Sequence, residues 1–173
     1  MTRAVLYRIL GNDLPPRHAA GQTLANLEFA LRHEPPLEDC EKRWVLNRIA
    51  DPAVEARVAA ALEAHGQGYL RIPFIAAEYT ACGIDFEGLP PKLYFHRAGF
   101  RALTPVRQRR LREWCFRRRT LYLMNNNGAR NAALAEGRAR AEWCCPSTAT
   151  ASSPPRPGAS CAPGSSTPAR RGT

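Results

Sequence analysis

The sequence has no long hydrophobic run, and this absence narrows the class of protein. No stretch of about 18 apolar residues occurs, so the sequence predicts no transmembrane helix. The segment Met1–Leu10 has two Arg and no extended apolar core, which argues against a secretory signal. Apolar residues still make up 45% of the 173 residues, which is enough for one domain, or for one domain with a tail.

The cysteines and histidines lack the spacing of a metal site. The chain has 6 Cys and 4 His, and no two cysteines are separated by two residues. We expect unpaired thiols in a reducing cytoplasm, structural or surface histidines, and no metal bound by this chain. The residues concerned are Cys40, Cys82, Cys115, Cys144, Cys145, Cys161, His18, His33, His65 and His96.

Acidic residues are scarce in one segment, and that segment carries most of the net charge of +10. Between Arg97 and Arg119 there are nine Arg and a single acid, Glu113, giving +8. The segment predicts a basic helical insertion over residues 97–119, and several roles remain open for it. It can be a solvated helix, or it can bind an anionic membrane or an acidic glycan. Because Trp114 and Phe116 lie among the arginines, single-stranded nucleic acid is a further but less favoured partner.

Large apolar residues are missing from the last part of the chain. Residues 144–173 include six Pro and six Ser but no Leu, Ile, Val, Phe, Tyr, Trp or Met. Such a segment cannot bury enough surface to offset its ordering entropy. We therefore predict a domain over residues 1–143 and a disordered tail over 144–173.

A shifted reading frame is a second explanation for this tail. If one G is restored after the Trp143 codon, the next codons encode Val, Leu, then Pro or Ser, then an apolar residue and a position open to Asp. The restored segment reads as an apolar strand that ends in an acidic turn. Sequencing the gene around the Trp143 codon distinguishes an out-of-frame tail from a low-complexity one.

The body of the chain alternates between strand and helix patterns. Three apolar runs predict strands, two periodic segments between them predict helices, and this alternation favours an α/β fold with a parallel sheet. Residues 78–101 predict an irregular stretch. The predicted elements are strand Ala4–Leu10, a helix capped by Thr23 and ending at Arg32, strand Arg43–Ile49, a helix opened by Asp51-Pro52, strand Tyr69–Phe74, helix Pro105–Arg119, a short apolar segment Leu121–Met124, loop Asn125–Gly128 and helix Ala129–Arg138.

Polar residues follow the first two predicted strands and the Asn-rich loop. In parallel sheets, ligands bind beyond the carboxyl ends of the strands. A helix that begins after an Asn-rich loop also offers free N–H groups to an anion. We predict nucleotide contacts from these positions, while Asp51 is at least as well explained as a helix cap. The candidate residues are Asn12, Asp13, Asn47, Asp51, Arg130 and Asn131.

One motif resembles a known enzyme family. The segment Asn127-Gly128-Ala129-Arg130-Asn131-x-x-Leu134, followed by a predicted strand, is similar to a helix of the GT-A-fold glycosyltransferases of the family 2 type. The resemblance implies the Rossmann-like parallel sheet of a GT-A nucleotide-sugar-binding half-domain. It also implies a nucleotide-sugar donor and an unknown acceptor. Asn47 stands where that family more often has Asp.

The resemblance further implies that this chain is inactive. Members of the family hold Mg²⁺ or Mn²⁺ at an acidic turn, where the metal neutralises charge on the departing diphosphate. That turn would fall in the shifted segment, and the second half of the domain does not follow. We therefore expect a truncated glycosyltransferase domain whose catalytic residues are unknown.

Overall fold

The computed structural model describes residues 2–15 and 18–148. In this part of the chain, four parallel strands form one sheet in the order β3-β2-β1-β4, with helices on both faces. The predicted α/β class and parallel sheet are confirmed. The elements are β1 Thr2–Leu10, α1 Gln22–His33, β2 Cys40–Asn47, α2 Pro52–Ala64, β3 Tyr69–Ile72, α3 Ala76–Ala81, a 3-10 turn Pro91–Leu93, α4 Ala98–Arg101, α5 Pro105–Cys115, α6 Arg117–Met124, α7 Asn126–Gly137 and β4 Ala141–Thr148.

Alternation along the two central strands builds a separate core on each face of the sheet. On one face, Trp44 and Leu46 of β2 pack with α1 and α2. On the other face, Val45 packs with Val5 of β1 and with Ala133 of α7. Both faces of a parallel sheet are covered, which explains why the strands read as continuous apolar runs rather than as an alternation with polar residues. None of the helices in the described part is long and apolar enough to cross a bilayer.

Several predicted helix boundaries are wrong. Gly21, in the left-handed conformation, precedes α1, and Thr23 lies within the helix instead of capping it. The predicted basic helix is divided at Phe116, and its second part continues through the segment predicted to be a short separate run. The predicted loop 125–128 is reduced to Asn125, since α7 already begins at Asn126. The stretch 78–101 contains short helices.

The predicted start of the disordered tail is also wrong. Strand β4 does not stop at Trp143, because Cys144 pairs with Val5 and the ladder with β1 continues to Thr148 opposite Ile9. Small and polar side chains do not prevent this pairing, since the ladder is made by backbone N–H and C=O groups. The rest of the predicted tail, residues 149–173, lies outside the described residues. That the tail is translated in a shifted reading frame stays a prediction.

A buried tyrosine between the sheet and α7 leads to a pH-dependent prediction. The ring of Tyr7 is fully buried, and its hydroxyl makes no hydrogen bond within the described residues. Burial and, to a smaller extent, the carboxylate of Glu136 raise the pKa of Tyr7 from 10.0 to about 12. Folding therefore favours the neutral phenol, and this contribution to stability is present below pH 10 and is lost as the pH rises towards about 12.

Tyr7→Phe is expected to remove this loss of stability at alkaline pH. At about pH 8 the variant should stay within about 1 kcal/mol of the parent, because the Tyr7 hydroxyl has no well-aligned partner among the described residues. At about pH 11 the parent should lose stability relative to the variant. Urea unfolding of both proteins at the two pH values measures the difference, and a constant difference across them would contradict the prediction.

Candidate functional site

The strand order defines where a ligand can bind. The connection from β1 through α1 leads to β2 on one side, whereas β4 lies on the other side of β1 and follows α7, which packs on the opposite face. The order therefore reverses between β1 and β4, and in sheets of this kind ligands bind in the crevice at such a reversal. We call the carboxyl-terminal end of the sheet the sheet edge. It comprises the end of β1 at the reversal, the end of the neighbouring strand β2 and the start of α7.

Asn12 joins the two loops at the sheet edge. Its amide nitrogen donates to the carbonyl oxygen of Arg48 at 2.7 Å, and its amide oxygen accepts from the backbone N–H of Ala50 at 2.8 Å. Both polar ends of the side chain are therefore engaged. Asn12 therefore fixes the loop after β1 against the loop after β2. It lies where the sequence predicts, but the role seen in the structure is to hold these two loops together.

Asn47 connects the end of β2 to the junction between α6 and α7. It is 1% exposed and is the single buried polar residue among those described. Its Nδ2 donates to the carbonyl of Met124 at 2.8 Å, and its Oδ1 accepts from Nδ2 of Asn125 at 2.9 Å. The hydrogen bonds explain how an uncharged amide can be buried here.

The two candidate carboxylates act as caps. Asp13 accepts from the backbone N–H of Gly21 at 2.7 Å and of Thr23 at 2.9 Å, and from the Thr23 hydroxyl at 2.7 Å. Asp51 accepts from the backbone N–H of Ala53 at 2.8 Å, so its predicted role as the N-cap of α2 is confirmed. Over residues 2–15 and 18–148, no group of three His, Cys, Asp or Glu side chains could hold a metal ion.

Arg130 and Asn131 lie apart from this amide network. Both are exposed on α7, beyond its first turn. Arg130 therefore does not oppose the helix dipole as closely as the sequence predicts, because the helix begins earlier. Neither side chain forms a hydrogen bond or an ion pair with another described residue, so both are available to a ligand from solvent.

Arg48, the cation at the sheet edge, was not among the predicted nucleotide contacts. Its backbone is left-handed, with φ of 49°, a conformation that costs a non-glycine residue free energy and often marks functional sites. The guanidinium carbon lies 4.0 Å from the ring centroid of Tyr122. One terminal nitrogen donates to the Tyr122 carbonyl at 3.2 Å, and the other reaches the Glu78 carboxylate only at 3.7 Å. The buried Nε makes no hydrogen bond to any described residue.

The position of Arg48 directly after β2 is a local signal, but its contacts could not be predicted, because its partners come from α3 and α6. The Asn-rich segment did contain a usable signal. Asn125 adopts the left-handed conformation with φ of 39°, as expected for Asn in a tight turn. A Cβ on Gly128 would overlap the side-chain amide of Asn125. Glycine at 128 therefore leaves room for the amide that binds Asn47.

A cavity of about 270 Å³ lies away from this site. Its lining includes Glu34 at the end of α1 and Lys42 and Trp44 of β2. Glu34 forms ion pairs with both Arg8 and Lys42, the latter at 3.6 Å, so it is shared by two cations. The cavity borders the amino-terminal half of β2, whereas the polar residues described above lie at its carboxyl end.

Comparison with known proteins identifies no relative: no family model, no curated protein and no solved structure matches this chain.

Proposed function

We propose that this chain binds the diphosphate of a nucleotide-sugar at the sheet edge, as the nucleotide-binding half of a GT-A-like glycosyltransferase domain. The observation that carries the proposal is the reversal of strand order between β1 and β4. The start of α7 and the guanidinium of Arg48 lie at the same edge, where Asn47 contacts Met124 and Asn125. A positive helix terminus and a cation together favour an anionic ligand.

Arg48 is proposed as the residue that contacts the diphosphate. Stacking on Tyr122 keeps its guanidinium in place. Its contact with Glu78 is long, at 3.7 Å, and half of the Glu78 side chain is exposed. A phosphate oxygen can therefore replace Glu78 as the partner of Arg48 at small cost. Arg130 and Asn131 offer further exposed donors on α7.

The residues at this edge do not fit the Mg²⁺ or Mn²⁺ that the resembled family uses. Both carboxylate oxygens of Asp13 and Oδ1 of Asp51 accept hydrogen bonds from N–H groups at helix starts. The amide oxygens of Asn12 and Asn47 are also taken by protein donors. We therefore propose nucleotide binding without sugar transfer for this chain.

Arg48→Gln tests the binding site. We expect calorimetric titration to show UDP or GDP binding more tightly than the corresponding nucleoside. The variant should weaken diphosphate binding about tenfold, the effect of losing one charge-assisted hydrogen bond. Nucleoside affinity should not change, which separates loss of the phosphate contact from loss of structure.

Arg57→Gln is the matched control, since Arg57 is an exposed arginine of α2. It should bind UDP and GDP like the parent. Equal affinity of parent protein for nucleoside and diphosphate would disprove a diphosphate site at this edge. Release of UDP or GDP from a nucleotide-sugar in the presence of Mg²⁺ or Mn²⁺ would contradict the proposed lack of transfer.

A further inference from the structure

A second charged surface extends from α4 through α5 to the start of α6, and the sheet edge does not explain it. Of the nine arginines between Arg97 and Arg119, all except Arg119 are exposed. Only Arg118 reaches a carboxylate among the described residues, that of Asp85 at 3.9 Å. The charge is therefore left uncompensated by the fold, and mutual repulsion disfavours it. A polyanionic partner would relieve this cost.

The outward face of α5 also exposes apolar side chains. Cys115 is buried and faces the protein, whereas Val106 is 49% exposed and Trp114 is 43% exposed. Val106, Arg110 and Trp114 are spaced by four residues and so share one side of the helix. Helices that lie in a membrane interface carry arginines together with Trp and aliphatic side chains, and α5 presents both kinds to solvent.

We infer that α5 binds the surface of an anionic phospholipid bilayer. The arginines contact lipid phosphates, Trp114 lies at the headgroup level, and Val106 enters the boundary of the acyl chains. Nucleic acid fits less well, because single-stranded sites stack bases on several aromatic rings. On α5 itself Trp114 is the only aromatic residue, and Phe116 beyond its end is only partly exposed. This inference is independent of the proposed nucleotide site.

Vesicle sedimentation with the full chain tests the inference. We expect binding to vesicles of phosphatidylglycerol and phosphatidylcholine in equal parts, and no binding to pure phosphatidylcholine. The double variant Arg109→Gln with Arg110→Gln should weaken partitioning roughly thirtyfold, from about 1 kcal/mol for each arginine near the surface. The control, Arg32→Gln with Arg57→Gln, removes the same charge from exposed positions on α1 and α2 and should bind like the parent.

Fluorescence provides a second readout that charge alone does not change. In a Trp143→Phe background, Trp44 is buried and Trp114 is the exposed indole. Its emission should shift to the blue with the anionic vesicles and should not shift with inorganic phosphate. Equal losses in the two double variants, or anionic binding without the shift, would overturn the inference. Salt-sensitive retention on single-stranded RNA, weakened by Arg109→Gln with Arg110→Gln and without vesicle binding, would assign this surface to nucleic acid instead.

Discussion

Asn47→Asp is expected to lower the free energy of unfolding by about 2–4 kcal/mol, although it replaces one atom in a side chain of almost unchanged shape. Asn47 is 1% exposed, and its Nδ2 donates to the carbonyl of Met124 at 2.8 Å. In the variant a carboxylate oxygen faces that carbonyl. Two acceptors then oppose each other, and a charge is buried without a cation as partner. The hydrogen bond from Asn125 to Oδ1 can persist.

Urea unfolding near neutral pH measures this loss. Asn131→Asp is the matched control, because it makes the same chemical change at an exposed position on α7 and should stay within about 0.5 kcal/mol of the parent. The deficit of Asn47→Asp should shrink in acid, where a protonated carboxyl can donate to Met124. A deficit below about 1 kcal/mol at neutral pH would mean that the bond to Met124 does not stabilise the fold.

Gly137→Ala should destabilise the protein by about 1–3 kcal/mol through overpacking. An added Cβ at Gly137 would lie 2.5 Å from Sγ of Cys144, 3.1 Å from Cβ of Cys144 and 3.2 Å from Cε2 of Tyr7. Since Tyr7 is buried, the neighbours have little space into which to move. Helix propensity acts in the opposite direction and favours Ala over Gly by up to about 1 kcal/mol.

The sign of this effect tests whether Cys144 belongs to the fold. If residue 144 were the start of a disordered tail, as the composition predicts, the added Cβ would meet only the Tyr7 ring, and Gly137→Ala would be close to neutral. If Cys144 pairs with Val5 in β4, the substitution destabilises, and adding Cys144→Ala recovers part of the loss, because it removes Sγ, the nearest atom, but keeps Cβ of residue 144 and the Tyr7 ring. Thermal unfolding of the two single variants and the double variant forms a cycle that isolates this contact.

The elements that the sequence predicted correctly depend on local chemistry. The Asp51-Pro52 pair opens α2 because Asp accepts from the first free N–H groups and Pro has no N–H to leave unpaired. The apolar runs and the helices between them predicted a parallel α/β sheet for similar reasons. The contacts of Arg48, by contrast, carried no local signal. Its contact with the Tyr122 carbonyl spans 74 residues of sequence, which no pattern within one segment can report.

The positions of Asn12 and Asn47 after their strands were predicted correctly, whereas their hydrogen-bond partners were not. Asn12 and Asn47 do lie at the carboxyl ends of β1 and β2, but their amides bind protein atoms. Asp13 was predicted to contact a nucleotide because it follows a strand. In the structure its carboxylate accepts hydrogen bonds from Gly21 and Thr23 at the start of α1. A polar residue after a strand can bind a ligand or stabilise a loop. Only the neighbours that the fold brings to it decide between these roles.

By itself the sequence determined the α/β class, the parallel sheet, the cap of α2 and the concentration of positive charge before Arg119. Those properties follow from residue spacing and composition, which are local. The tertiary structure alone decided the strand order β3-β2-β1-β4, the amide contacts of Asn47 and the extension of β4 to Thr148. The physical reason is that sheet pairing uses backbone groups that every segment carries. Whether a segment low in apolar residues becomes a strand is therefore decided by the strand beside which the fold places it.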